Sequence, residues 1–182
     1  MEENIDIINK ETGKNTGEVK FKSEVHRDGL WHKTVHIWCV NSKGEILLQH
    51  RSKEKKNFPD MWDISVAGHI SSGESSEQGA LREIKEEIGI DISVSDLKYL
   101  GTVVQEFVLN NGTYIDNELN DIYIFKLEDD KDLKIQEEEL DQLKWLPISE
   151  FQEWINEKRT DLVPHDEEYR ILFKYLENYK QM

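Results

Sequence analysis

The sequence is poor in features that mark secreted, membrane or multidomain proteins. One cysteine among 182 residues excludes an internal disulfide framework and suits a reducing, cytoplasmic environment. The acidic N-terminus has no signal-peptide pattern, and no apolar run is long enough to cross a bilayer, so no membrane role is expected. Because no proline-, glycine- or serine-rich stretch supplies a linker, we expect a single domain over residues 1–182.

Positive charge is scarce as well. Lysine and arginine number 23 against 38 aspartate and glutamate residues, which gives a formal net charge of −15. A nucleic-acid polymer would meet a surface of predominantly its own sign, and we therefore expect no such partner. A small anionic substrate stays compatible with this charge where cations or a local basic patch offset the field.

The spacing of apolar residues predicts many short strands and a few helices. Alternation on both sides of a glycine-rich turn predicts an N-terminal hairpin over about residues 4–22. The other expected strands are a hairpin over residues 34–51, one strand over 61–70, and strands around 97–109, 120–127 and 143–147. Helices are expected from Ser76, from near Ser149 and over about residues 166–180.

Strands therefore outnumber helices, and one helix lies in the middle of the chain. This order differs from the regular alternation of strand and helix that builds a doubly wound sheet. The sequence predicts an α+β sandwich. Cys39 shares one strand face with Val35 and Ile37 and is expected in its core.

The central helix carries three glutamates one turn apart. Glu83, Glu86 and Glu87 repel one another at this spacing by roughly 0.2–0.5 kcal/mol per pair. They border an apolar stripe that is expected to face the core, made of Ala80, Leu81, Ile84 and Ile88. For such a helix taken alone, a solvated charged face neutralised by Arg82 and Lys85 is the simple interpretation.

These glutamates belong to a longer pattern of fixed spacing. Gly68 is followed after five residues by Glu74 and, after seven more, by REIKEEIGI from Arg82 to Ile90. This is the complete signature of the Nudix hydrolases, which the sequence resembles. The resemblance implies a Nudix fold, an α/β/α sandwich with a mixed β-sheet, in which a loop-helix-loop catalytic box spans residues 68–90. It also implies hydrolysis of a diphosphate linked to another moiety.

The same resemblance implies roles for the residues of the box. It assigns metal binding to Glu83, Glu86 and Glu87, and positioning of the catalytic carboxylates to Arg82. Glu74, Gly68 and Gly89 would be structural residues of the box. Hard carboxylate oxygens select Mg²⁺ or Mn²⁺, which keep some of their waters and bridge to substrate phosphates. A divalent cation would thus turn the repulsion among the glutamates into binding.

Outside the box the sequence resembles the type I isopentenyl-diphosphate isomerases and the hydrolases related to them. The segments that carry this resemblance are VHRDGLWH, GEILLQHRSKEKKNFPDMW, SVAGHISSGES and DNELND. The isomerases hold a metal with three histidines and two glutamates, and the matching positions here are His26, His32, His69, Asp116 and Glu118. Asp116 is a shortened substitute. These residues would form a second divalent site, unless the histidines are ordinary structural residues.

Two further positions bear on substrate and mechanism. Arg51 and Lys55 match residues that meet the substrate diphosphate in the isomerases, although an ordinary basic turn would look the same. The cysteine that the isomerases use to move a proton on carbon corresponds here to Ala67. The missing thiol and the complete box both point to hydrolysis rather than isomerisation.

The sequence therefore predicts a metal-dependent hydrolase that cleaves a diphosphate linkage in a small molecule by water attack on phosphorus. Glu86 or Glu118 would accept the proton of water, and Arg51 would hold the terminal phosphate. The alternatives are an isomerase-like enzyme that uses Glu118 without a thiol, a non-catalytic module that binds a diphosphate, and a box kept only as scaffold. The organic half of the substrate, a nucleoside or an isoprenoid, and the oligomeric state stay open, with a dimer as one option.

Overall fold

The computed structural model of the chain describes residues 2–128 and 132–179, so that position 180 of the expected C-terminal helix lies outside the described residues. Nine strands and four longer helices follow one another in this part of the chain. In chain order they are β1 (Asn4–Ile8), β2 (Asn15–Phe21), α1 (Lys22–Asp28), β3 (His32–Val40), β4 (Glu45–Arg51), β5 (Trp62–Asp63), β6 (Val66–His69), α2 (Ser76–Ile88), β7 (Lys98–Leu109), β8 (Tyr114–Lys126), β9 (Leu140–Pro147), α3 (Ile148–Asn156) and α4 (Asp166–Tyr179).

Strand β3 is the centre of a mixed sheet. It runs parallel to β8 along its whole length, from His32 opposite Glu118 to Val40 opposite Lys126. On its other side β3 pairs antiparallel with β6, and β8 continues the sheet through an antiparallel pairing with β7. Strands β4, β5 and β9 form a second antiparallel group, and β1 pairs with β2 in a separate hairpin.

Two hydrophobic clusters cover the opposite faces of β3. Val35, Ile37 and Cys39 are fully buried on the face that packs against α2. Trp38 lies on the other face with residues of α3 and α4, including Phe151. This layered arrangement confirms the expected α+β Nudix fold. Among the described residues, no helix combines the length and the apolar character needed to cross a membrane.

Two expectations about the strands need correction, and one helix was missed. The expected single strand over residues 61–70 is two short strands, because the chain leaves β4 after Asp63 and joins β3 at Val66. The expected hairpin of β3 and β4 pairs only at its turn, through Val40 and Ile46, because each strand has other partners. Helix α1 was not expected at all, since its seven residues are too few to show a helical period.

Candidate active site

The predicted box, residues 68–90, is built on α2, whose ends are fixed by its sequence. Ser75 caps the first turn by accepting a hydrogen bond from the Gln78 amide, and the Gln78 side chain accepts one from the Ser75 amide. Gly89 ends the helix in the left-handed conformation, with φ +75°, which favours glycine. Ala80, Ile84 and Ile88 are fully buried and hold one helix face against the sheet.

This packing places the glutamates at the edge of the core. Glu83 and Glu87 are buried, with 9% and 4% of their surface exposed, whereas the Glu86 side chain is half exposed. Gly68 of β6 makes room for Glu83, because a Cβ atom at Gly68 would lie 2.0 Å from Glu83 Cδ. The glycine at the start of the box is therefore required by the close approach of a carboxylate, and the left-handed backbone conformation is not involved.

Arg82 links α2 to the segment that precedes it. Its guanidinium donates to both carboxylate oxygens of Glu74, at 2.9 and 3.0 Å, and to the carbonyl oxygen of His69 at 2.8 Å. It also donates to Glu83 at 2.7 Å and to Glu86 at 3.2 Å. Glu74 in turn accepts a hydrogen bond from the Ser71 amide. One partly buried guanidinium thus fixes the loop before α2 and reaches two of the three helix glutamates.

The carboxylates of α2 lack sufficient compensating charge. Burial raises the pKa of Glu83 to about 7, although contact with Arg82 opposes the shift. Burial and the neighbouring charge of Glu83 raise the pKa of Glu87 well above its ordinary value. The contacts of Glu87 with Gln49 Nε2 and the Ala67 amide are long, at 3.4 Å each. Crowded, under-compensated carboxylate oxygens are the environment in which a divalent cation is stabilising.

The three histidines of the second predicted set do converge. His26 of α1, His32 of β3, His69 of β6 and Glu118 of β8 each offer one ligand atom within 4.8 Å of the others. His26 Nε2 lies 2.9 Å from His69 Nε2, and Glu118 Oε1 lies 3.4 Å from His32 Nε2. The pairing of β3 with β8 and with β6 brings these elements together.

Unsatisfied polar atoms mark this histidine cluster, by which we mean His26, His32, His69 and Glu118. His32 Nδ1 lies 2.9 Å from the carbonyl oxygen of Leu30 and donates to it, so that Nε2 is the ring nitrogen that faces Glu118. His32 Nε2 is buried without a hydrogen-bond partner, and Asp116 Oδ1 beside the cluster forms no well-aligned hydrogen bond, although it lies 2.9 Å from His26 Nδ1. Such atoms are rare in folded proteins, and their location here fits a cation held by the cluster.

Asp116 lies on the outer side of His26. Its Oδ1 atom is 2.9 Å from His26 Nδ1, whereas the convergent nitrogen of that ring is Nε2. Burial raises the pKa of Asp116. Burial also acts to raise the pKa of Glu118, but contact with His32 outweighs it and lowers the pKa. Asp116 thus occupies the position from which a carboxylate orients a metal-binding histidine.

The predicted basic residues are already engaged. Arg51 donates to Asp63 Oδ2 at 2.9 Å and to the carbonyl oxygens of Asn57 and Phe58, so that four contacts use three of its five N–H groups. Lys55 forms an ion pair with Glu139. Both cations line the cavity, and each is partly neutralised there by the protein.

A group of buried polar residues that includes His36 and His165 was not predicted from the sequence. His36 Nδ1 lies 2.7 Å from Glu168 Oε2, and His165 Nε2 lies 2.8 Å from Asp63 Oδ1. Alternation along β3 does place His36 on the face of His32, which was the available signal. The partners in β5 and α4 are distant in sequence and could not be paired with these histidines.

Most of the acidic and histidine side chains described above line one cavity of about 830 Å³. The cavity passes around the edge of β6, because Gly68 faces α2 while the adjacent His69 faces the histidine cluster. Its lining includes Glu83, Glu86, Glu87, His69, Glu118, His36 and Arg51. Every sequence-predicted metal ligand apart from His32 lines this cavity, and His32 is buried directly behind it.

The family assignment follows from comparison with known proteins. The pattern of the NUDIX domain matches residues 30–169, so the chain belongs to the Nudix hydrolase family. It is 38% identical over 178 residues to Nudix hydrolase 3 of Arabidopsis thaliana, covering 94% of this chain but only 23% of that protein. It is 38% identical over 143 residues to an uncharacterized Nudix hydrolase of Clostridium acetobutylicum, covering 76% of this chain and 68% of that protein.

More particularly, the chain falls in the expected branch of the family. It is 31% identical over 147 residues to an isopentenyl-diphosphate Delta-isomerase of Corynebacterium diphtheriae, covering 79% of this chain and 78% of that protein. A crystal structure of the Deinococcus radiodurans protein DR0079 superimposes with a TM-score of 0.67 at 19% identity, covering 93% of this chain and 97% of that one. The sequence relatives identify the branch, and the structural likeness supports the fold.

Proposed function

We propose that the chain is a metal-dependent hydrolase that cleaves a diphosphate linkage in a small molecule by attack of water on phosphorus. The observation that carries this proposal is the pair of buried, under-compensated carboxylates of Glu83 and Glu87. Glu83 packs against Gly68, and Glu86 lies beside both at the cavity wall. Such a group has an electrostatic reason to bind a cation and a position from which the cation meets a ligand.

Each residue of the box then has a proposed role. Glu83, Glu86 and Glu87 would hold Mg²⁺ or Mn²⁺, which when bound polarises phosphoryl oxygens and lowers the pKa of a bound water. Glu86 is the proposed proton acceptor, because it is the most exposed of the three and faces the cavity. Arg82 is a positioning residue, since its donors are all used on protein oxygens.

Outside the box, Arg51 and Lys55 would meet the terminal phosphate. Arg51 retains two N–H groups after its contacts with Asp63, Asn57 and Phe58. His26, His32, His69 and Glu118 would bind a second divalent cation, with Asp116 orienting His26. Glu118 is the second candidate for proton acceptor. The cytoplasmic location suggested by the sequence stays a prediction.

An isomerase reaction is the less favoured function. The histidine cluster is the feature that supports it, because the sequence resemblance to the isomerases implies a metal site at these positions and the four residues do converge. Ala67 leaves no thiol at the position of the isomerase cysteine, and Cys39 is fully buried in the core, where burial raises the pKa of its thiol. Neither residue can exchange a proton with carbon in the cavity.

One assay separates these functions. Nucleoside and isoprenoid diphosphate compounds are incubated with the full chain and Mg²⁺, Mn²⁺ or a chelator, in water enriched in ¹⁸O and, separately, in deuterated water. A hydrolase produces two phosphate-bearing products, one of which carries a single ¹⁸O atom on the phosphorus that water attacked, and it does so only in the presence of metal. Deuterium in recovered isopentenyl diphosphate without phosphate release would establish the isomerase instead. Binding without either reaction would leave a non-catalytic module.

A further inference from the structure

The inner end of the cavity holds a second group of histidines outside the proposed hydrolytic site. His36 of β3 lies directly opposite Ala67 of β6, on the strand face that also carries His32. His165, just before α4, lies beside it, with ring centroids 5.2 Å apart. Both histidines line the cavity, and Glu168 of α4 is buried behind them.

We propose that His36, His165 and Glu168 form a further divalent metal site, suited to Zn²⁺, at the inner end of the cavity. These residues offer ligand atoms that all lie within 4.8 Å of one another. Two imidazole nitrogens and one carboxylate oxygen are a donor set of catalytic zinc sites, which keep a fourth position for water or a ligand. His36 and His165 contact the cavity, so that fourth position is accessible from it.

The hydrogen bonds around His165 support this assignment. Asp63 acts as an acceptor, because Arg51 donates to its Oδ2 at 2.9 Å and the Ile64 amide donates to its Oδ1 at 2.8 Å. It therefore accepts the proton of His165 Nε2 at 2.8 Å, and His165 Nδ1 is left with its lone pair. That lone pair faces Glu168 Oε2 at 3.9 Å, a distance too long for a hydrogen bond. A lone pair opposite a buried carboxylate is favourable only when a cation lies between them.

The surroundings of Glu168 also match a metal ligand. Trp38 Nε1 donates to Glu168 Oε1 at 2.7 Å and leaves only Oε2 to face the two histidines. Metal-binding carboxylates and histidines are commonly held by such outer hydrogen bonds. The ion would displace the proton that His36 Nδ1 shares with Glu168 Oε2 at 2.7 Å. Bond lengths near 2.1 Å would place the ligand atoms roughly 3.4 Å apart. This separation lies between the 2.7 Å from His36 Nδ1 to Glu168 Oε2 and the 3.9 Å from His165 Nδ1 to the same oxygen.

The distance pattern of the histidine cluster gives an internal comparison. There the three ring pairs have centroids 5.0, 5.1 and 5.2 Å apart, and His36 and His165 repeat that separation. Arg51 neutralises Asp63, whereas the polar partners of Glu168 in the described part of the chain are imidazole nitrogens and an indole N–H. The buried charge of Glu168 therefore requires either a proton on His36 or a metal ion.

Zinc titration calorimetry of the metal-free full chain distinguishes these two cases. Mg²⁺ is present in excess so that the glutamates of α2 are occupied. We expect the wild type to bind one more tight equivalent of Zn²⁺ than either His165→Ala or Glu168→Gln. Asp121→Asn is the matched control, because Asp121 is equally buried but contacts Lys33 and Thr102 instead. The same number of equivalents in all four proteins would overturn the proposal.

A second measurement requires no substitution at the site. Nitrogen NMR of ¹⁵N-histidine protein is recorded with and without Zn²⁺ in a His69→Ala background, which disables the histidine cluster. We expect Zn²⁺ to shift Nδ1 of His36 and of His165, while each ring keeps its proton on Nε2. Protons on both nitrogens of His36 at saturating Zn²⁺ would overturn the proposal. Because bound metal is the readout, this result is independent of whether the chain hydrolyses diphosphates.

Discussion

The glutamates of α2 and the histidine cluster face one cavity from opposite faces of β6, and they are assembled in different ways. One helix carries Glu83, Glu86 and Glu87, so their spacing in the sequence directly sets their positions on the helix surface. The histidine cluster takes one residue each from α1, β3, β6 and β8. The first group is therefore encoded locally, whereas the second exists only once the sheet has formed.

The two groups also differ in how their charge is balanced. The pKa of Glu83 is raised to about 7, whereas contact with His32 lowers the pKa of Glu118. Within the histidine cluster, His32 partly balances the negative charge of Glu118. The buried carboxylates of α2 need a bound cation for the same balance. We expect substitutions at α2 to affect metal-dependent turnover first and substitutions at the histidine cluster to affect metal content.

Among substitutions outside the proposed metal ligands, the largest effect is expected from Gly68→Ala. The new methyl group would lie 2.0 Å from Glu83 Cδ and force this carboxylate out of place. We expect kcat to fall at least about 100-fold, equivalent to about 2.7 kcal/mol of barrier. Steady-state kinetics with saturating Mg²⁺ measures the loss. Gly79→Ala is the control, because a Cβ there is 3.3 Å from Ile70 and should leave kcat near that of the wild type.

The next effect separates a structural from a substrate-binding role for Arg51. Arg51→Ala leaves the buried Asp63 without its guanidinium partner, and we expect the free energy of unfolding to drop by about 3 kcal/mol. Urea denaturation measures this drop, and the KM for the diphosphate should rise in parallel. A normal KM with the same loss of stability would remove Arg51 from the substrate site. Lys53→Ala, at an exposed lysine, should change neither quantity.

The pH dependence of metal binding should report the raised pKa of Glu83. In the metal-free protein this group contributes stability below its unfolded pKa, near 4.5, and that contribution is lost as the pH rises through about 7. Mg²⁺ binds the ionised form, so its apparent affinity should rise from pH 6 to pH 8 and its stabilisation of the fold should rise in parallel. Calorimetry and melting temperatures at these pH values test both trends. An affinity independent of pH would contradict the assigned shift.

The smallest effect is expected at Lys55. Its ion pair with Glu139 is partly exposed, so Lys55→Ala should cost less than about 1 kcal/mol of stability. If Lys55 meets the phosphate, the KM should rise several-fold while kcat stays close to that of the wild type. Glu139→Gln is the matched change, because it frees the lysine and should lower the KM. Equal KM values in all three proteins would leave Lys55 without a substrate role.

The parts of this molecule that could be predicted from sequence are those with a local cause. The residues that form the apolar stripe of α2, its cap at Ser75 and its end at Gly89 all lie within fifteen consecutive positions. The parallel pairing of β3 with β8, which places Glu118 beside His32, depends on strands 86 residues apart in register and has no local signal. Only the family resemblance could bring those residues together beforehand.

The group of His36, Asp63 and His165 at the cavity shows the same limit of prediction from sequence. His36, Asp63 and His165 each look ordinary in sequence, and their function as a group depends on the meeting of β3, β5 and the segment before α4. Helix α1 was missed for a related reason, since its short span buries only Val25 and His26 and shows no period. Its structural role is to carry His26 to the cluster.

The measurement that tests the central claim most directly is the turnover of Glu86→Gln at saturating Mg²⁺. Glu86 is half exposed, and within residues 2–128 and 132–179 its one hydrogen-bonding partner is Arg82, so the fold and melting temperature should stay close to those of the wild type. We predict that hydrolysis is abolished in this variant and retained in Lys85→Gln, its exposed neighbour on α2. Glu86→Gln with wild-type turnover would contradict the account and move the search for the proton acceptor to Glu118.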